Sequence, residues 1–247
     1  MISSMKIVLE NQNQYDYNIG SIMHGALMQK INDKRYAEII HENNLKPFSQ
    51  HIYCDKAANK LIWRISSLDN EAFENIILPL IKEDFSSIYL ENKKYSLNVV
   101  EKKYESIKYK DFVEKHFTTT DLKRFYKMIF ITPTSFKSNG EYQIFPSIEL
   151  IFKSLLSKWN GFSKEISLED ESLLEHLCEY TKISNYSLKS TKFHLERTKI
   201  NSFIGNVVFR MNGPEQLTKI TRMLLEFSKY SGIGIKNALG MGGVLFE

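Results

Sequence analysis

At 247 residues, 43% of them hydrophobic, the chain can bury one large core or two small ones. The formal charge is +4, and from Thr181 onward ten basic residues stand against four acidic ones, which favours a polyanionic partner for this part of the chain. Cys54 and Cys178 lie far apart and no CxxC motif occurs, which argues against a disulfide framework and a structural zinc site. The N-terminus has a strand pattern and no apolar run reaches a membrane span, so we expect a cytoplasmic protein with reduced thiols.

The first 120 residues show one alternation of strands and helices, judged by the period of their apolar residues. Strands are predicted at Lys6–Glu10, Gln50–Cys54, Lys60–Ser66, Ser87–Leu90 and Lys94–Lys103. Helices are predicted at Ile19–Ile31, Lys34–Glu42 and Asn70–Lys82. The order β-α-α-β-β-α-β is the ferredoxin-like arrangement.

A polar stretch near Lys108–Lys123 follows, and the same order then begins again. Strands are predicted at Tyr126–Ile131, Tyr186–Thr198, Phe203–Met211 and Gly243–Phe246, and helices at Pro146–Trp159, Asp170–Tyr180 and Pro214–Lys229. The sequence therefore predicts an α+β protein with two tandem ferredoxin-like (βαββαβ) domains, residues 1–120 and 121–247. Small RNA-binding (RRM-like) sheets share this arrangement, although function must be argued from the site.

A glycine-rich loop joins the last predicted helix to the last strand. It contains Gly232, Gly234, Gly240, Gly242 and Gly243 around Lys236 and Asn237. Its backbone N–H groups and its lysine suit phosphate groups. A nucleotide-binding loop has a strand before its glycines and a helix after them, whereas the order here is reversed. The pattern favours a polyanion that runs across the protein surface, with a plain turn as the alternative and ATP or NAD binding as a distant one.

Four segments carry a resemblance to a known family. Ser231–Val244 resembles the glycine loop of the RAMP superfamily of CRISPR systems. Gly20–Met28, Ala37–Ser49 and Thr132–Lys137 (followed by Phe145-Pro146) resemble the first helix, the catalytic-histidine segment and the second-domain opening of the CRISPR-associated endoribonuclease of family six. The matches run in the right order from about residue 20 to the C-terminus.

This resemblance implies a metal-independent endoribonuclease that cleaves precursor CRISPR RNA within its repeats. The 2′-hydroxyl would attack the adjacent phosphorus and leave a 2′,3′-cyclic phosphate and a 5′-hydroxyl. The implied partner is CRISPR repeat RNA, and no cofactor, metal or membrane is expected. A transient association with a CRISPR effector complex and a homodimer are left open. The alternative is a non-catalytic RAMP-type RNA-binding subunit of an effector complex.

The resemblance places His41 in the family's catalytic segment, and Lys46 follows it where an ammonium group can reach the same phosphate. Some family members have a tyrosine at the position of Met28, and His24 on the same helix is expected to supply the missing function. Histidine suits proton transfer near neutral pH, and lysine stabilises added negative charge. Which histidine acts as base and which as acid is left open, and His51 is a weaker third candidate.

Each candidate residue could instead have a purely structural role. His41 can stabilise a helix C-terminus, His24 can be a core histidine, and Lys46 can be an ordinary exposed lysine. His116, His176 and His194 are expected to be surface or packing residues. The residues predicted to contact RNA are Lys137, Lys189, Lys192, Gly232, Gly234, Lys236, Asn237, Gly240 and Gly242, with Arg197 and Lys199 as further candidates. A solvated surface charge is the alternative for each lysine and for Arg197.

Overall fold

Two antiparallel β-sheets form the framework of the protein, in a computed structural model that describes residues 1–11, 15–31, 33–83, 85–195 and 198–247. Each sheet is covered by helices on one face. Among the described residues, none of the helices combines the length and the apolar character needed to cross a bilayer.

The first sheet has the strand order β2-β3-β1-β5-β4. Its strands are β1 Ile2–Glu10, β2 Phe48–Asp55, β3 Lys60–Ser67, β4 Ser87–Leu90 and β5 Tyr95–Ile107. The helices are α1 Gly20–Met28, α2 Lys34–Glu42, α3 Asn70–Ala72 and α4 Leu78–Lys82, with a π-helical turn at Phe73–Ile77 and 3-10 turns at Tyr17–Ile19 and Glu91–Lys93. Alternate residues of β1, from Met5 to Leu9, face the helices and form the first core with them.

The second sheet has the order β11-β6-β10-β9, beside a separate β7-β8 hairpin. Its elements are α5 Tyr109–Phe117, β6 Phe125–Thr134, β7 Phe136–Ser138, β8 Glu141–Gln143, α6 Ile148–Phe162, α7 Glu171–Tyr180, β9 Thr181–His194, β10 Lys199–Met211, α8 Glu215–Ser231, a 3-10 turn Asn237–Leu239 and β11 Val244–Phe246. The strand order β9-β10-β6-β11 of the second sheet corresponds, strand for strand, to the order β2-β3-β1-β5 of the first sheet. The predicted α+β fold with two ferredoxin-like units is therefore confirmed.

Several local predictions differ from the structure. Helix α5 lies in the stretch predicted to be polar, because Tyr109, Phe112 and His116 form a narrow buried face among charged residues. The β7-β8 hairpin was not predicted, since its strands have three residues each. The predicted strand Tyr186–Thr198 extends over residues 196 and 197, which lie outside the described part of the chain; β9 itself begins earlier, at Thr181.

The second core includes residues from the first half of the chain. Ile2, Leu68, Tyr109 and Phe112 pack with the helices and strands of the second sheet. The Tyr109 hydroxyl donates a hydrogen bond to the Leu68 carbonyl at 2.9 Å. The domain division at residue 120 stays a prediction. Residues that precede this boundary contribute to the core of the second sheet.

The two halves also meet at a junction formed by Ser49, Gln50 and His51 of β2 with residues 230–243. Gln50 is 1% exposed, and its side-chain amide donates to the carbonyls of Gly20 (2.9 Å) and Ala238 (3.1 Å). Its carbonyl oxygen accepts from the Trp63 indole at 2.8 Å. One buried side chain thus joins α1, the first sheet and the glycine-rich loop.

Backbone contact at the junction depends on glycine. A Cβ atom at Gly240, where φ is +109°, would lie 2.9 Å from the Gly20 Cα. A Cβ at Gly243 would lie 2.5 Å from the His51 ring. Since real Cβ atoms do not approach this closely, any larger residue would push the loop away from α1 and β2.

We expect Gln50→Leu to lower the free energy of unfolding by about 2 to 4 kcal/mol, because it removes the buried partner of the Trp63 indole N–H and a buried hydrogen bond from each of the Gly20 and Ala238 carbonyls. Urea denaturation followed by circular dichroism measures the change. Gln29→Leu is the matched control, since Gln29 is exposed at the end of α1 and its loss is expected to cost less than about 0.5 kcal/mol. Equal unfolding midpoints for the two variants would contradict the role of Gln50.

We expect His51 to make the protein sensitive to acid. Burial, and next the charge of Arg64, lower the pKa of His51 to about 3, while an unfolded histidine has a pKa of about 6.5. As the pH falls below 6.5, the unfolded state takes up the proton first. Stability is therefore lost on acidification, by up to about 1.4 kcal/mol per pH unit.

Urea denaturation at several pH values between about 7 and 4 tests this expectation. His51→Leu is expected to show a shallower loss of stability than the wild type. His176→Leu changes an exposed histidine and is expected to keep the wild-type slope. Parallel pH profiles for wild type and His51→Leu would show that His51 does not carry the effect.

Candidate functional site

His24 lies half-buried on α1, with its ring parallel to that of Phe48 at a centroid distance of 6.1 Å. Its Nδ1 has no hydrogen-bond partner among the described residues. Burial lowers the pKa of His24 to about 4, and the charges of His41 and Lys46 act in the same direction, while the Ala238 backbone opposes them. The imidazole is therefore neutral at pH 7 and retains an unpartnered ring nitrogen.

His41 lies exposed in the last turn of α2. The helix begins at an Asp33 cap, whose side chain accepts from the Tyr36 N–H, and it packs through Tyr36 and Ile40. The Lys46 ammonium donates to the His41 carbonyl at 3.0 Å and to the Ile40 carbonyl, so it caps the C-terminal end of the helix. The cap holds Lys46 next to the His41 backbone.

Lys236 brings the C-terminal loop into the same electrostatic environment. It adopts a left-handed backbone conformation with φ of 55° and is exposed, whereas Asn237 and Ala238 beside it are buried. Burial lowers the pKa of Lys46, and the Lys236 charge lowers it further. His24, His41, Lys46 and Lys236 thus form a group, here called the cationic cluster, drawn from α1, α2, the following loop and the C-terminal loop.

The interior of the glycine-rich loop is organised by Lys158, which the sequence analysis missed. Lys158 is 6% exposed, and its ammonium donates to the carbonyls of Ser231 (3.1 Å) and Gly232 (2.9 Å) and to Asn237 Oδ1. Burial lowers the pKa of Lys158 to about 7. The available signal was a lysine on the apolar face of α6, one position before the buried Trp159.

The side chain of Asn237 is used entirely inside the protein. Its Nδ2 donates to the carbonyls of Ile233 (3.0 Å) and Met241 (3.1 Å), and its Oδ1 accepts from Lys158. Contact with RNA at Asn237 would therefore have to come from its backbone. The predicted RNA-binding residues Gly232, Gly234, Gly240 and Gly242 all have positive φ and form the tight path of this loop.

The remaining predicted RNA contacts lie on the second sheet and on the separate β7-β8 hairpin. Lys137 is exposed on β7, and Lys189, Lys192 and Lys199 are exposed on β9 and β10. None of them forms an ion pair with the part of the chain that the structure describes. The candidate Arg197 lies outside the described residues.

The other four histidines do not belong to the cationic cluster. His51 is 2% exposed beneath Gly243 in the junction. His116 is 1% exposed, packs edge-on against Phe112, and has its Nε2 3.5 Å from a Glu226 oxygen. His176 and His194 are exposed. Over the described ranges, the structure contains no group of three or more His, Cys, Asp or Glu residues arranged to hold a metal ion.

Comparisons with known structures support the fold. A Cas6 product complex superposes with a TM-score of 0.79 at 18% sequence identity, and covers 100% of both chains. Thermus thermophilus Cas6 superposes with a TM-score of 0.72 at 17% identity, over 100% of this chain and 98% of that one.

Sequence comparisons define the family. The CRISPR-associated endoribonuclease Cas6 family matches residues 128–244. The CRISPR-associated endoribonuclease Cas6 of Streptococcus thermophilus is 31% identical over 229 residues, which cover 91% of this chain and 89% of that protein. The protein of the same name from Mycobacterium tuberculosis is 28% identical over 226 residues, 92% of this chain and 71% of that one. This chain therefore belongs to the Cas6 family of CRISPR-associated endoribonucleases.

Proposed function

We propose that this protein is a metal-independent endoribonuclease that cleaves precursor CRISPR RNA within its repeats. In this reaction the 2′-hydroxyl attacks the adjacent phosphorus, the 5′-oxygen leaves, and the products carry a 2′,3′-cyclic phosphate and a 5′-hydroxyl. Family membership supports the endoribonuclease class. The observation that carries the site assignment is the cationic cluster, in which the Lys46 ammonium donates to the His41 carbonyl, the charges of His41 and Lys46 lower the pKa of His24, and the charge of Lys236 lowers that of Lys46.

The cluster offers the three functions that this chemistry needs. His24 is a neutral imidazole on α1, so it suits the base that removes the 2′-hydroxyl proton. His41 is exposed on the neighbouring helix and suits the acid that protonates the leaving 5′-oxygen. Lys46 and Lys236 supply positive charge for the phosphorane, whose added negative charge they stabilise by charge-assisted hydrogen bonds.

RNA binding is assigned to the surface that continues from Lys236. The glycine path at Gly232, Gly234, Gly240 and Gly242 holds Lys236 outward, and Lys137, Lys189 and Lys192 extend the basic surface. Solved relatives include Cas6 product and substrate-mimic complexes and a RAMP protein described as binding different RNA substrates. Phosphate contacts of this kind supply affinity, whereas discrimination between repeats must come from bases or RNA shape.

Cleavage of repeat RNA in excess EDTA tests the proposed reaction. The wild-type protein is expected to cleave at an undiminished rate, and mass spectrometry is expected to find a 2′,3′-cyclic phosphate. An RNA with a 2′-deoxy nucleotide directly 5′ to the cleaved phosphate is expected to resist, because its nucleophile is missing. The same substitution one nucleotide away is the control and should be cut normally.

Three results would count against the proposal. Loss of cleavage in EDTA with recovery on adding Mg²⁺ would replace the metal-independent mechanism. Normal cleavage of the deoxy substrate would exclude attack by the 2′-hydroxyl. Tight binding without cleavage of any repeat RNA would favour the non-catalytic RAMP subunit.

We expect His41→Ala to impair cleavage and Lys236→Glu to impair RNA binding. His41→Ala should lower the single-turnover rate by roughly 100- to 10,000-fold with little change in RNA affinity. Lys236→Glu should weaken binding roughly tenfold or more and reduce the salt dependence of binding by about one phosphate contact. His176→Ala and Lys56→Glu, both at exposed positions, are the matched controls. Weak binding with a normal rate for His41→Ala would reassign that residue to recognition.

A further inference from the structure

Two exposed aromatic rings lie against each other beside the second sheet. The rings of Phe145 and Tyr186 meet edge-to-face at a centroid distance of 5.7 Å, although Phe145 is 54% exposed and Tyr186 is 55% exposed. Tyr142 and Ile144 next to them are also exposed. We call these four residues the aromatic edge. Exposed apolar side chains grouped around such a ring pair indicate a binding surface.

The protein holds the aromatic edge between well-anchored elements. On the β7-β8 hairpin, Phe136 is buried and stacks on Phe203 at 6.3 Å, while Lys137 and Tyr142 form a cross-strand pair on the opposite, exposed side. Phe145 precedes α6, whose N-terminus is capped by Ser147. Tyr186 is paired with Val207 in the β9-β10 ladder. Phe145 and Tyr186 therefore lie in or directly beside regular secondary structure.

The β9-β10 ladder beside the aromatic edge carries positive charge, while the β7-β8 hairpin carries one exposed lysine, Lys137, and one exposed carboxylate, Glu141. Strands β9 and β10 contain no Asp or Glu, and they carry the exposed basic residues Lys182, Lys189, Lys192, Lys199 and Arg210. The nearby α6 carboxylate of Glu149 is paired with Lys153 at 2.5 Å. Aromatic rings beside a strand pair that carries only basic charges complement a ligand that has both flat apolar faces and negative charge, as single-stranded RNA has.

The aromatic edge is continuous with the cationic cluster. The Ile235 N–H, directly before Lys236, donates to the Ser135 carbonyl at 3.0 Å. Lys137 follows Ser135 by two residues and lies opposite Tyr142, and Phe145 follows three residues later. This path from Lys236 to Phe145 has six residue steps of about 3.3 Å and two crossings between neighbouring backbones of about 5 Å, on the order of 30 Å in all. An RNA strand bound at Lys236 can reach the rings within a few nucleotides.

We infer that the aromatic edge is a base-stacking platform for unpaired nucleotides that flank the cleaved linkage. This inference rests on the proposed function, because it takes repeat RNA as the ligand. Stacking tolerates any base, since every base has a flat π-face, while the lysines of β7 and β9 contact the backbone. Phe145 and Tyr186 are the two rings that contact bases.

The test uses repeat RNA made uncleavable by a 2′-deoxy nucleotide and labelled with 2-aminopurine at single unpaired positions. Phe145→Leu/Tyr186→Leu keeps apolar volume but removes both rings. We expect it to raise the Kd roughly 5- to 150-fold for each stacked base, to abolish 2-aminopurine quenching at one or two positions, and to leave the salt dependence unchanged. Tyr186→Phe should bind like wild type, because it keeps the ring.

Tyr89→Leu is the matched control, since Tyr89 is 54% exposed on the first sheet and should not affect binding. Wild-type affinity and quenching in the double variant would overturn the platform while leaving cleavage by the wild type, and hence the proposed function, intact. Conversely, wild-type protein that binds but does not cleave repeat RNA would overturn the proposed function, and weaker binding by the double variant would still support the platform.

Discussion

The arrangement of the candidate site depends on the contact between the glycine-rich loop and the first sheet. Gln50 binds the carbonyls of Gly20 and Ala238 with one amide, and Gly240 touches Gly20 through the backbone. Because α1 begins at Gly20, this contact also sets the position of His24, one turn along the helix. The catalytic and phosphate-binding candidates are therefore aligned by buried hydrogen bonds rather than by their own side chains. Without this contact, Lys236 would have no defined position relative to the imidazoles.

Positive charge near the site has two different roles. Lys158 and Lys46 both donate to helix-terminal carbonyls, so much of their hydrogen-bonding capacity serves the fold. Lys236 is exposed and adds its charge to that of Lys46. The resulting concentration of cations is unfavourable in the free protein and becomes favourable when a polyanion arrives. Burial is the main cause of the lowered pKa of His24, and the charges of His41 and Lys46 lower it further.

The basic surface belongs to the second half of the chain, whereas the cationic cluster takes His24, His41 and Lys46 from the first half and only Lys236 from the second. The β9-β10 ladder offers thirteen residue pairs without an acidic side chain, and its outer strand is an exposed edge. The short β7-β8 hairpin connects this surface to the loop, because Ser135 at its base accepts a hydrogen bond from the loop backbone. A phosphodiester strand can therefore follow one continuous protein surface from the sheet edge to the cluster.

Sequence alone determined the order of the strands and helices of the two ferredoxin-like units, since apolar period and turn residues are local, but it missed α5 and the β7-β8 hairpin. The glycine-loop and His41 segments marked the family. Tertiary structure decided the rest. The buried positions of Lys158 and Asn237 were not predictable, because a polar residue becomes buried only when distant carbonyls are there to satisfy it. The same holds for the glycines: their pattern indicates freedom to contact phosphate, but at Gly240 that freedom serves close approach to Gly20, a backbone 220 residues away in the chain.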